Sequence, residues 1–137
     1  MNMFTAAEQT ANYAEASVKK ATMPLCKMIL MAILAGMLIA FAGCVTNIAC
    51  YALDNNSTVR TTSGLLFAFG LGMVILSGAE LFTGNTLMTI GVLEKRITIM
   101  GILRNWIFVY IGNFLASLLV AYICAKFGWL SAGNGAL

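Results

Sequence analysis

The chain has 137 residues, of which 61% are hydrophobic and only 9% charged, and a net charge of +3. A soluble domain carries about 25% charged residues, so this composition excludes one and points to a protein embedded in a bilayer. The basic residues are scattered beside apolar segments, which excludes a nucleic-acid footprint. With no histidine in the chain, a His-containing metal site is excluded, and no nucleophile has a positioned base. We expect neither enzymatic activity nor a cofactor.

Met3 to Ala21 reads as a helix outside the bilayer. Thr5-Ala6-Ala7-Glu8 fits a capping box, and Glu15 and Lys19 form a favourable i,i+4 pair. Phe4, Ala7, Ala11, Ala14 and Val18 share one stripe, expected to pack on the protein's own surface or, alternatively, on a partner or the membrane. Pro24 ends the helix. No cleavable signal is expected in this polar, Ala-rich stretch. Residues 28–51 form the first span, where Ala32, Gly36, Ala40 and Gly43 let a neighbouring helix come close. Leu53 to Thr61 reads as a polar loop. Its two sequons, at Asn55 and Asn56, matter only in a secretory pathway.

Residues 62–93 form an apolar run too long for one ordinary span of roughly 20 residues. Its centre, Ser77-Gly78-Ala79-Glu80-Leu81-Phe82-Thr83-Gly84-Asn85-Thr86, is too polar for lipid. Non-helical backbone is tolerated at membrane depth only when buried in protein or facing a wet cavity. The reading is a broken helix: one half before Ser77, a re-entrant loop at half depth, and a second half starting near Thr83 to Asn85. Such breaks are where transporters place solute sites. An amphipathic connector follows Glu94-Lys95-Arg96, and residues 106–127 form the third span. Trp106 and Trp129 mark its two interfaces. Asn113 in its middle reads as a helix-to-helix hydrogen bond or as a pore contact. The tail from Ser131 to Leu137 is Gly-rich. The four cysteines form no CxxC pair and read as small buried hydrophobes, with no disulfide framework expected.

Lys19, Lys20, Lys27, Lys95, Arg96 and Arg104 fall on one side of these spans, and Arg60 and Lys126 on the other. This bias places the N-terminus in the cytoplasm. Three crossings amount to one half of an inverted-repeat transporter.

Gly78-Ala79-Glu80-Leu81-Phe82-Thr83-Gly84-Asn85 resembles the signature loop of the formate/nitrite transporter family, channels for small monovalent anions. Leu34 to Phe41 is similar to that family's first membrane helix, and Arg104 to Asn113 to its third. The resemblance covers essentially the whole chain but only the first half of the family's usual length. It implies an all-α, aquaporin-like inverted repeat of which residues 1–137 form the N-terminal half of one channel domain. It further implies a pentamer in a bacterial-type plasma membrane, with a pore in each subunit. The family's pore histidine, second signature and loop-facing lysine belong to the half absent here. We therefore expect either a truncated half or a half-size protein that assembles with something else.

By the same resemblance Thr83 faces the pore, and Leu81, Phe82, Leu71 and Phe67 line apolar constrictions. Read from the residues alone, Thr83 is also a helix N-cap, a role that can coexist with the first, and core packing is the favoured reading of the four apolar residues. Gly78, Glu80, Gly84 and Asn85 read as structural parts of the loop. Glu80 is the only acidic residue deep in an apolar segment. It is expected to be neutralised by protonation or paired with backbone N–H groups of the second half-helix. An apolar gate makes a bare anion pay heavily for lost water, which favours passage with a proton. Two other readings stay open. One is a neutral-solute channel, although no Asn-Pro-Ala is present. The other is a non-transporting membrane subunit.

Overall fold

The Thr5 hydroxyl accepts from the Glu8 N–H, while the Glu8 carboxylate accepts from the Thr5 N–H at 2.7 Å. This capping box starts α1, Ala6–Ala21. The computed structural model describes residues 4–129 and 131. Met3, expected to open this helix, and the tail beyond Ser131 lie outside the described residues. The Thr5 backbone N–H, then its hydroxyl, hold the Glu8 carboxyl below its ordinary value of 4.5. A depressed carboxylate stabilises above its unfolded pKa and loses that contribution as pH falls through the folded one. Acidification below 4.5 is therefore expected to fray the first turn of α1, seen as faster amide exchange at the first helical residues with α6 unaffected.

Only the C-terminal half of the α1 stripe is covered. Ala14 and Ser17 are buried, whereas Phe4, Ala7 and Ala11 are exposed. Pro24 serves as the N-cap residue of α2, Leu25–Cys50. The next helix, α3, Asn56–Ser77, starts earlier than the sequence suggests because the Asn55 side chain accepts from the N–H groups of Ser57 and Thr58. The expected polar loop is thus partly helix. After the break come α4, Phe82–Asn85, a 3-10 turn, Thr86–Met88, and α5, Thr89–Leu93. Then α6, Ile99–Lys126, begins where the Thr98 hydroxyl accepts from the Gly101 N–H. The connector before Trp106 is therefore helical and continuous with the span, which places Trp106 inside α6 and not at its entry.

The described residues form helices and no strand. Three of the helices, α2, α3 and α6, are long and apolar enough to cross a membrane. The chain is an integral membrane protein. Within the group α2 is central and packs against both α3 and α6. The α3 helix leaves Leu76 85%, Phe69 73% and Ile75 70% exposed. A helix apolar all round is at home in lipid or protein and not in water.

Small residues set the closeness of the α2/α6 seam. A Cβ added at Gly112 would lie 2.6 Å from the Ala32 Cβ, and one at Gly36 would fall on the Asn113 carbonyl and 2.8 Å from the Asn113 Cα. Replacing Gly36 by alanine is expected to cost about 2 kcal/mol by overpacking backbone against backbone, measured as a shift of the unfolding midpoint in detergent.

Candidate solute path at the helix break

Gly78 ends α3 in the left-handed region, φ 66°, and its N–H donates to the Ile75 carbonyl. The Ala79 N–H donates to Val74 at 3.1 Å, which completes the helix stop. From there the chain runs extended over Ala79, Glu80 and Leu81. The Glu80 N–H crosses to the Met31 carbonyl on α2 at 3.1 Å, about two turns inside the start of that helix. The break thus sits nearer the α1 end of the bundle than the expected half depth.

Asn113 on α6 holds the extended residues. Its amide donates to the carbonyls of Ala32 at 2.7 Å and Glu80 at 3.0 Å, and its oxygen accepts from the Phe82 N–H at 2.9 Å. One side chain therefore satisfies backbone groups on both sides of the break and ties them to α2. The helix-to-helix bond expected of Asn113 is present, and its partners include the loop itself.

The Glu80 carboxylate, 3% exposed, has a partner the sequence did not indicate. Lys20 at the end of α1 donates to it at 2.6 Å and to the Asn85 oxygen at 2.9 Å. The Asn85 amide donates to Glu80 at 2.7 Å and to Asn105 at 2.8 Å. In place of the half-helix N–H groups expected as partners of Glu80, a lysine ammonium and a carboxamide meet its carboxylate. No short spacing links Lys20 to Glu80, so only the docking of α1 reveals the pair. Trp106 covers the cluster by donating its indole N–H to the Asn85 carbonyl at 2.9 Å. Its ring also meets Phe82 edge-on, with centroids 6.1 Å apart. Asn105, fully buried, keeps an amide nitrogen without a partner among the described residues.

Two further contacts fix α1. Gly91 of α5 lets Ser17 approach so closely that an added Cβ would lie 2.6 Å from the Ser17 Cβ. The Arg104 guanidinium donates to the carbonyls of Ala21 and Met23, each at 3.2 Å, and satisfies the end of α1.

Two cavities flank the break. The first, about 400 Å³, is lined by Leu71, Leu81, Thr83 and Gly84, with Lys20 and Asn85 on its wall. The second, about 230 Å³, is lined by Leu81, Phe82, Thr83 and Asn113, with Gly36 and Tyr110. Leu81 and Thr83 line both and stand between them. Phe67, 46% exposed, lines neither cavity. Thr83 is not the N-cap. That position belongs to Leu81, which offers no side-chain bond, so the Thr83 hydroxyl is left exposed beside the cavities. A Cβ at Gly84 would meet nothing within 4 Å, so packing within this chain does not account for the glycine there.

The model of the formate/nitrite transporter family matches residues 7–136. The chain is 37% identical to a probable formate transporter of Methanothermobacter thermautotrophicus over 74% of its own length and 39% of the relative. It is 33% identical to the formate channel BtFdhC of Bacillus thuringiensis, over 88% of its length and 48% of that protein. With the formate channel FocA of Escherichia coli K12 it shares 32%, over 88% of its length and 43% of the relative. The chain thus spans less than half the length of these relatives. A match over nearly all of its residues, 7–136, makes this chain a member of the formate/nitrite transporter family.

Proposed function

We propose that this chain builds one half of a channel for small monovalent anions of the formate class, with the solute passing Leu81 and Thr83. The observation that carries this reading is the position of those two residues on the shared wall of both cavities, just after the spanning helix α3 stops. A hydroxyl with no partner among the described residues is a donor available to an anion, and Leu81, Phe82 and Leu71 give it an apolar surround. The Lys20 ammonium neutralises the Glu80 charge beneath them, so the loop presents no bare negative charge to an arriving anion. Across such an apolar constriction, formate together with a proton crosses at far lower cost than the bare ion. Loop structure rests on Gly78, Glu80 and Asn85, while Gly84 keeps the first cavity open.

The six basic residues at the α1 end support a cytoplasmic position for that end. The inverted repeat needs a second unit of opposite topology to close the pore, and pentamers of complete pores follow from the family resemblance. Formate uptake by vesicles of the native membrane tests the reading. Replacing Thr83 by valine, equal in shape but without the hydroxyl, is expected to lower flux roughly tenfold, the worth of about 1.4 kcal/mol at the barrier. Unchanged flux would remove Thr83 from the path. Absence of flux from the wild-type protein would favour a non-transporting membrane subunit.

A further inference from the structure

The α2/α6 seam keeps one register along its length. Met28 packs with Val109. The Asn113 amide reaches the Ala32 carbonyl 81 positions earlier, Gly112 faces Ala32, and Gly36 faces Ala116. Carried two turns further toward the end remote from α1, the same spacing sets Cys44 of α2 opposite Cys124 of α6. Their thiols are indeed side-chain neighbours. Both are unbridged, Cys124 buried at 1% exposure and Cys44 half-buried. A disulfide needs Cα atoms roughly 4.4–6.8 Å apart, whereas packed helix axes usually lie about 8–10 Å apart. Facing cysteines on two helices meet that requirement when small residues bring the backbones together, and this seam is built of Ala32, Gly36, Gly112 and Ala116.

We propose that Cys44 and Cys124 form an oxidisable pair that closes to an interhelical disulfide and locks the end of the bundle remote from α1. With the orientation proposed above, that end meets the non-cytoplasmic side, where disulfides persist. The chemistry itself does not depend on that orientation. With a small apolar disulfide such as 2,2′-dipyridyl disulfide as oxidant, the Cys44 thiol is the more accessible. It loses its proton, attacks one reagent sulfur and expels one pyridinethiol. Cys124 then loses its proton, attacks the Cys44 sulfur of the mixed disulfide and expels the second. The chain gives up two hydrogens and the reagent is reduced to two pyridinethiols, each carrying one of them.

The test uses the full chain in its membrane with Cys26→Ser and Cys50→Ser. The serine at 50 keeps a polar group within reach of the Ser63 hydroxyl, 3.4 Å from the present sulfur. The expected result is two pyridinethiols released per chain, no pyridyl group retained, and an intact mass about 2 Da lower, reversed by reductant. One peptide should carry both cysteines, and oxidation should raise the thermal midpoint. Adding Cys44→Ser should abolish closure. Retention of a pyridyl group on each cysteine, bridging between chains in place of within them, or no release at all would each overturn the proposal.

Discussion

Replacing Asn113 by leucine is expected to destabilise the chain by about 3–4 kcal/mol, the largest effect of any single side chain at the break. Three hydrogen bonds disappear together: those to the Ala32 and Glu80 carbonyls and that from the Phe82 N–H. Each is worth about 1 kcal/mol net, and more when the backbone group left behind has no water to turn to. Leucine has the same branching and number of heavy atoms and is somewhat larger, so no cavity opens and the loss is chiefly polar. Unfolding in a detergent titration measures it. Amide exchange at Phe82 should rise well before exchange in α2 or α3. A loss below about 1 kcal/mol would show that the loop is held by its own turns and not by α6.

Replacing Lys20 by methionine is expected to cost about 3 kcal/mol and to release α1. Removing one member of a buried ion pair leaves the other uncompensated, which typically costs 3–5 kcal/mol. Glu80 keeps only 4% of its side-chain surface exposed. The lysine side chain, 28% exposed, places the effect at the lower end, since solvent screens part of the pair. The Asn85 oxygen also loses a donor. Changing Glu80 to glutamine in the same chain removes the stranded charge and should restore part of the stability. That coupling between two residues 60 positions apart would be measured by a double-mutant cycle. Exchange protection along the last turns of α1 should fall in the lysine variant and return in the pair. If the two substitutions simply add, the ion pair does not hold α1 to the loop.

These two side chains divide the work at the break. Asn113 fixes the extended residues laterally against α2 and α6, while Lys20 fixes the carboxylate from below through α1. Gly78 sets where α3 stops, and the extended residues after it are held by contacts from three other helices, α1, α2 and α6. Arg104 contributes at a distance, because holding the Ala21 and Met23 carbonyls keeps Lys20 within reach of Glu80.

Much of the fold is written locally. The membrane character follows from composition. The start of α1 follows from Thr5 and Glu8, and the stop of α3 from Gly78, because capping and left-handed backbone depend on a few adjacent residues. The closeness of α2 and α6 is legible from Ala32 and Gly36. What the sequence leaves open is which distant groups meet. Lys20 reads as a surface charge on an amphipathic helix, Asn105 as part of a membrane entry and Trp106 as an interfacial anchor. Each becomes part of a buried cluster only when α1 and α6 close on the break. Glu80 announces itself as a buried carboxylate, but its partner is fixed by packing. The same holds for Cys44 and Cys124, which no spacing motif relates and which the seam's register brings together. Local backbone chemistry decides where helices begin and end, so residues a few positions apart determine it. Contact between residues 60 or more positions apart depends on how whole helices dock, and that only the tertiary structure decided.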